Sequence, residues 1–74
     1  MSWFSKPRSK LGKFLDRNDI KQINLAQYSG VSEGTISKLC RADTFYPSLR
    51  NGQKIIKALK KMTHKDIQYD DFWV

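Results

Sequence analysis

Apolar residues recur at helical spacing along much of the chain, starting close to its amino end. Leu11, Phe14 and Leu15 occupy positions i, i+3 and i+4, which predicts one apolar helix face within residues 8–18. The polar run that follows is typical of a break between helices, and we expect Ile20 to return to the interior. The first predicted element is therefore an amphipathic helix.

The next two predicted helices are short and are separated by a glycine. They cover residues 22–29 and 32–40. Gly30 stands between them, where a residue with left-handed backbone is commonly needed, and Ser32 is suited to cap the third helix. The inward-facing residues of this pair are Leu25, Ala26, Ile36 and Leu39. The spacing thus predicts two helices packed across a tight turn.

The longest predicted helix covers residues 48–61 and follows a loop that ends at Pro47. Its apolar stripe comprises Leu49, Ile55, Ile56 and Leu59. Thr63 and Asp66 have the spacing of a capping box, which predicts that a short last turn begins there. No segment shows the strict alternation of a half-buried strand. The expected fold is all-α, a compact bundle of four to five short helices.

The length and the scarce histidine and cysteine limit what the chain can do. We expect one domain over residues 8–74, preceded by a basic and aromatic arm over residues 1–7. One cysteine and His64 as the one histidine cannot form a disulfide or a typical zinc site, and no catalytic set surrounds His64. We therefore expect no enzyme activity, metal or cofactor. No apolar run approaches the ~18 residues of a membrane span, so a cytoplasmic location is expected.

Positive charge is concentrated in the first part of the chain. The net charge is +7; residues 1–61 carry thirteen lysines and arginines against four acidic residues, and residues 62–74 carry one lysine against three aspartates. The balance is therefore +9 in the first segment and −2 in the second. A basic body favours a polyanionic partner, and a merely solubilising surface is the alternative.

A longer pattern joins the second and third predicted helices. From Gln22 to Leu39 the chain reads Q-x-x-L-A-x-x-x-G-V-S-x-x-T-I-S-x-L. This pattern resembles the helix-turn-helix of the lambda repressor/Cro-like family of DNA-binding regulators, and the resemblance covers about residues 10–60. It implies a lambda repressor-like bundle with a helix-turn-helix at about 22–40, double-stranded DNA as partner, and a small sequence-specific transcriptional repressor of phage or prophage type.

The resemblance also implies which residues meet DNA. In this family the exposed amino-terminal part of the third helix enters the major groove. By position, the base-reading residues are Glu33, Gly34, Ser37 and Lys38. The phosphate-binding residues are Gln22, Ser32, Thr35, Arg41, Thr44 and Tyr46. Further contacts from the arm would come from Lys6, Arg8 and Lys10.

Two interpretations are open for each of three of these residues. Gly34 within a helix costs about 1 kcal/mol relative to alanine; it either lets the DNA groove approach the main chain or is an exposed glycine without consequence. Glu33 either accepts a hydrogen bond from a cytosine amino group or stabilises the helix dipole. Lys38 donates to a guanine edge or to a phosphate, and we favour the guanine edge.

The chain departs from the family pattern at four positions. Leu15 and Cys40 stand where many members carry a buried ion pair, so we expect apolar contact between the first and third helices and a core thiol rather than a redox switch. Ala42 replaces the usual glycine after the third helix, and the following loop is one residue longer. Lys21 replaces the usual cap of the second helix.

Large apolar residues near the carboxyl end raise the question of assembly. Family members usually bind two half-sites, so we expect a homodimer, at least on DNA. Ile67 and Phe72 are expected to fold back on the fourth helix, and the candidate dimer contact is Trp73 foremost, with Phe72 as a further candidate member. The alternative is that all of these residues pack within one chain and the protein binds DNA as a monomer. The rival function is a protein-interaction adapter or anti-repressor. It would use the exposed aromatic residues Trp3, Phe4, Phe72 and Trp73. A regulatory protein partner is a further expectation.

Overall fold

The computed structural model describes residues 9–42 and 44–73, and within them every regular element is helical. The elements in chain order are α1 (Lys10–Arg17), α2 (Gln22–Ser29), α3 (Glu33–Arg41), α4 (Leu49–Thr63) and a one-turn 3-10 helix (Tyr69–Asp71). The predicted all-α bundle is confirmed. The arm predicted over residues 1–7 lies outside the described residues, together with Trp3, Phe4, Lys6 and Arg8.

Serine side chains define where three of the helices begin. Ser9, Ser32 and Ser48 precede α1, α3 and α4, and each hydroxyl oxygen accepts a hydrogen bond from the backbone N–H three residues later, at 3.0, 3.3 and 3.1 Å. Lys21 precedes α2 and makes no such bond. The expected cap at Ser32 and the missing cap at Lys21 are both confirmed, so α2 depends more on packing than the other helices do.

Left-handed residues end α2 and α4. Gly30 has a φ of 76° and its N–H donates to the Ala26 carbonyl, as the sequence predicts for this turn. His64 adopts a φ of 58° after α4, and its N–H donates to the Lys60 carbonyl at 2.9 Å. Ala42 instead follows α3 with extended backbone. The exit from α3 therefore needs no left-handed residue, which accounts for the alanine in place of the usual glycine.

One apolar core joins all the elements. Helix α3 packs on α1 and α2, α4 packs on α2, and the 3-10 helix packs on α4. The buried apolar residues are Leu11, Leu15, Leu25, Val31, Ile36, Leu39, Cys40, Ile55, Ile56, Ala58, Leu59, Ile67, Phe72 and Trp73. The expected core positions of Leu15 and Cys40 are confirmed, each with 1% of its surface exposed. Direct contact between these two side chains stays a prediction.

The end of α4 differs from the prediction. Helix α4 continues to Thr63, whose hydroxyl donates to the Leu59 carbonyl at 2.7 Å instead of capping a new turn. The predicted turn at Thr63 and Asp66 is therefore wrong. The capping box lies further on, where the Gln68 N–H donates to an Asp71 carboxylate oxygen at 2.8 Å and so starts the 3-10 helix.

Leu49 and two other residues expected inside are less buried than predicted. Leu49 is 63% exposed. It shares a helix face with Ile56, but it lies seven residues, or about 10 Å, nearer the start of α4, where the core has ended. Ile20 and Ala26 are half-buried and pack against the edge of the core. The helical spacing is correct, but it predicted that these residues are more deeply buried than they are.

The carboxyl-terminal aromatic residues complete the core. Phe72 packs edge-on against Phe14 with ring centroids 5.4 Å apart, and Trp73 lies 5.0 Å from Tyr69 and 5.6 Å from Phe72. The expectation that Ile67 and Phe72 fold back is confirmed. The expectation that Trp73 offers an exposed dimer contact is wrong, because 4% of its surface is accessible and that of Phe72 is 7%. Burial of the indole ring within the chain stabilises the small core instead.

Candidate nucleic-acid interface

The turn between α2 and α3 fixes how the two helices cross. Gly30 reverses the chain, Val31 is buried with 5% exposure, and the Val31 N–H donates to the Ser29 hydroxyl at 3.2 Å. Ile36, Leu39 and Cys40 then anchor α3 in the core. Because one face of α3 is buried in this way, its opposite face and its first turn are presented at the surface.

The predicted DNA-contacting residues of α3 lie at the surface to different degrees. Glu33, Gly34, Lys38 and Arg41 are exposed, as is Ser32 before the helix. Ser37 and Thr35 are half-buried. Arg41 lies in the last turn of α3, where its positive charge also complements the helix dipole. This face can therefore meet a partner, while the role of each residue stays a prediction.

Two hydroxyls are organised at the start of α3. The Ser32 hydroxyl donates to Thr35 Oγ1 at 2.9 Å and accepts a bond from the Thr35 N–H. Thr35 Oγ1 is the acceptor in the first bond, so its own hydrogen can serve another acceptor, such as a phosphate oxygen. The pair thus couples the helix cap to a polar group that faces the surface.

Five of the ten predicted base and phosphate contacts line one groove. This groove, of about 520 Å³, runs between α3 and the loop that leads into α4. Its lining includes the predicted residues Ser32, Gly34, Thr35, Lys38 and Tyr46. Thr44 is exposed on the same loop. The lining also includes Phe45, Ser48 and Asn51, which the sequence analysis did not assign to the site.

A second groove lies on the other side of the first turn of α3. It has a volume of about 550 Å³ and is lined by Gln22 and Glu33, together with Lys21 and the α1-side carboxylates Asp16 and Asp19. Glu33 and Gly34 therefore face different grooves although they are adjacent in sequence. The first turn of α3 therefore contributes residues to both grooves.

The glycine of this first turn has open space around it. A Cβ atom built on Gly34 meets no atom within 4 Å, so the packing of this chain does not require a glycine there. Gly52 of α4 differs, because a Cβ atom there would overlap the Tyr69 ring. The absent side chain at Gly34 is therefore explained by no contact within the described residues.

An aromatic residue from the loop lies beside the basic residue of α3. The Lys38 ammonium is 5.5 Å from the centroid of the Phe45 ring, within the range of a cation–π interaction. The ring itself is 39% exposed. Sequence reasoning missed this pair because the path of the loop, rather than helix periodicity, brings the two residues together.

Other basic residues lie away from α3. Lys10 of the predicted arm contacts is exposed and lines a shallow groove with Lys13, Arg17 and Asp71. Lys54, Lys57 and Lys61 of α4 line another groove with Tyr28, near the end of α2. The positive charge is thus spread over several faces of the molecule, and charge alone does not single out one binding surface.

The described part of the chain contains neither a metal site nor a membrane-spanning helix. No group of three or more His, Cys, Asp or Glu side chains among residues 9–42 and 44–73 could hold a metal ion. None of the helices formed by these same residues has the length and apolar character required to cross a membrane.

A helix-turn-helix family model matches residues 11–64, which is more than half of the 74 residues. The matched region contains α2, α3 and α4 entire and all of α1 except its first residue. No curated protein and no solved structure matches the chain. The buried aromatic residues at the carboxyl end lie outside the matched region.

Proposed function

Because the chain belongs to the lambda repressor/Cro-like helix-turn-helix family of DNA-binding regulators, we propose that it is a sequence-specific transcriptional repressor. Helix α3 enters the major groove of double-stranded DNA with its first turn foremost. The observation that carries this proposal is the exposed, polar first turn of α3, whose residues line two grooves and which has open space at Gly34. The proposal places the protein in the cytoplasm, at the nucleoid.

We assign the proposed DNA contacts to two groups, those with base edges and those with phosphates. The proposed base-reading residues are Glu33, Gly34, Ser37 and Lys38. The proposed phosphate-binding residues are Gln22, Ser32, Thr35, Arg41, Thr44 and Tyr46. Phosphate contacts fix the register of the protein on the duplex, and contacts with base edges in the major groove carry the sequence information. Glu33 weakens binding to any sequence that lacks a suitable donor, because its carboxylate repels phosphates.

A single module of this kind reads few base pairs, so we infer that two copies occupy two half-sites one helical turn apart. Phe72 and Trp73 are buried in the core of each chain, so we place the contact between copies elsewhere on the surface. Two of the four aromatic residues that favoured a protein-interaction adapter are the same buried pair. The adapter hypothesis therefore loses two of the four residues on which it was based.

The test combines selection of bound sequences from a random duplex pool with affinity measurements across a salt series. We expect an enriched sequence and a log–log salt slope of about −0.9 for each phosphate neutralised. Lys38→Ala should change the preference at one base position and cost about 1–3 kcal/mol there.

Lys57→Ala is the matched control, because it removes the same charge from α4, at the groove near the end of α2. It should leave the selected sequence unchanged. If the pool yields no enriched sequence and the salt slope is shallow, the proposed function is wrong. A loss that is uniform over all sequences in Lys38→Ala would instead assign Lys38 to a phosphate.

A further inference from the structure

The Phe45 ring lies beside the Lys38 side chain at the edge of the groove between α3 and the α3–α4 loop. The ammonium lies 5.5 Å from the ring centroid, and both residues line this groove with Gly34. Glu33, the acidic residue of the same helix, lines a different groove from Lys38. The charge of Lys38 therefore lies beside an aromatic face.

An aromatic face holds a cation differently from a carboxylate. It attracts the charge through the ring quadrupole and accepts none of the three N–H bonds that a lysine ammonium can donate. Those donors stay free for acceptors such as O6 and N7 of guanine. A carboxylate partner would occupy at least one donor and lower the net charge. The Phe45 ring thus restricts where the ammonium can be without reducing what it can bind.

Restricting where the ammonium can lie is particularly important for a lysine side chain. Its ammonium is a compact point charge on a flexible four-carbon stem, so an unrestrained lysine reaches any phosphate in its range as easily as a base edge. Ordering such a side chain on binding also lowers affinity. A lysine that is already held at the groove edge loses less freedom on contact and reaches fewer alternative acceptors.

We propose that Phe45 is a positioning residue that makes Lys38 a reader of a guanine edge rather than a general phosphate contact. The inference rests on the proposed function and adds to it a residue that determines specificity. Two residues after the ring, the loop contacts the carboxyl-terminal segment, where the Tyr69 hydroxyl donates to the Pro47 carbonyl over a long 3.5 Å. The position of the ring is thus linked to the folded carboxyl-terminal segment.

The test compares Phe45→Leu with Phe45→Trp in the full chain. Selection from a random duplex pool should show that Phe45→Leu lowers discrimination at the base position that Lys38→Ala also affects, by about 2- to 5-fold. Phe45→Trp should retain or sharpen this discrimination, because indole is the strongest cation–π partner. Tyr28→Leu is the matched control, since it removes an exposed aromatic residue of α2, at the groove lined by Lys54 and Lys57, and should leave that base position unaffected.

A second set of measurements separates positioning from a general effect on the fold. In a Lys38→Met background, Phe45→Leu should cause no further change in preference. In the free protein, the ε-methylene protons of Lys38 should show an upfield ring-current shift by NMR, lost in Phe45→Leu and kept in Phe45→Trp. An effect of Phe45→Leu that persists without the lysine would overturn the inference.

The outcomes also distinguish this inference from the proposed function. If the wild-type protein selects no sequence, the proposed function fails and the inference fails with it. If the wild type selects a site and Phe45→Leu selects the same site with equal discrimination, the inference alone is refuted. Reduced discrimination at the shared position, with Tyr28→Leu unchanged, supports it.

Discussion

Two helical glycines allow one chemical change to be tested in opposite surroundings. Gly34 lies in the first turn of α3 with open space where a Cβ atom would stand, and Gly52 lies in α4 against the Tyr69 ring, with Pro47 Cγ at 3.3 Å from an added Cβ. Neither has a left-handed φ, so alanine is compatible with both backbones. Gly34→Ala and Gly52→Ala therefore differ in packing rather than in backbone strain.

The expected effects follow from helix propensity and overlap. Glycine in a helix interior is about 0.8–1.0 kcal/mol less favourable than alanine, and a position in the first turn gains part of this. Gly34→Ala should raise the free energy of unfolding by about 0.5 kcal/mol, or about 2–4 °C in Tm. At Gly52 the same gain is opposed by about 1–3 kcal/mol of overpacking against Tyr69. We expect a net loss of about 1 kcal/mol.

Urea and thermal unfolding followed by circular dichroism would measure both variants against the wild type. Binding to the selected duplex supplies the second readout. If DNA approaches the main chain at Gly34, Gly34→Ala should lower affinity by about 1–3 kcal/mol while stability rises, and Gly34→Gln should also change the preferred sequence. Gly52→Ala should keep the sequence preference in its folded fraction.

The measurements can contradict each part of this reasoning separately. A destabilised Gly34→Ala would mean that the surroundings of this residue differ from those described. A stabilised Gly52→Ala would mean that Tyr69 moves aside at little energetic cost. Unchanged affinity and preference in both Gly34→Ala and Gly34→Gln would refute a close approach of DNA, and Gly34 would then be an exposed glycine without consequence.

The remaining predictions concern the core and the caps. Leu15→Ala should lower the free energy of unfolding by about 2–5 kcal/mol in urea titrations, and native Cys40 should react slowly with thiol reagents; fast labelling would contradict its buried position. Ser32→Ala should cost about 0.5–2 kcal/mol by the same titration, and an unchanged midpoint would mean that its cap bond adds nothing. Trp73→Ala should destabilise the chain by about 3–5 kcal/mol and leave the oligomeric state in sedimentation unaltered; a changed state would restore the dimer contact rejected above.

Helix starts and the central turn could be predicted from the sequence because their determinants are local. Ser32 caps the helix that directly follows it, and the left-handed Gly30 sits next to the helix that it ends. Depth in the core was harder to predict. Leu49 has the periodicity of a buried residue, yet whether the core extends that far depends on which elements cover the start of α4. Trp73 was misplaced for the same reason, since its partners Tyr69 and Phe72 come together only in the folded tail.

The surface residues of the candidate site could be predicted because they occupy the positions of α3 that the core does not use. Once the apolar positions of α3 are assigned to the interior, periodicity places Glu33, Gly34 and Lys38 on the outside, and each is exposed. Periodicity does not reveal how the surface is divided, and the separation of Glu33 and Lys38 into different grooves follows from the crossing of α3 with α1, α2 and the loop. The position of Phe45 depends on the loop alone, so no local signal could place it beside Lys38.

Burial of the carboxyl-terminal aromatic residues has a consequence for how specificity can arise. Placing Phe72 and Trp73 in the core removes two large groups from any contact between copies. Discrimination must then come mainly from each module, where a mismatched base pair is worth about 1–3 kcal/mol. With few readers on α3, the value of each reader depends on how firmly it is held. A loop aromatic that holds the one lysine on the exposed face of α3 raises specificity without enlarging the fold, so the core and the reading surface are linked through the same tail and loop.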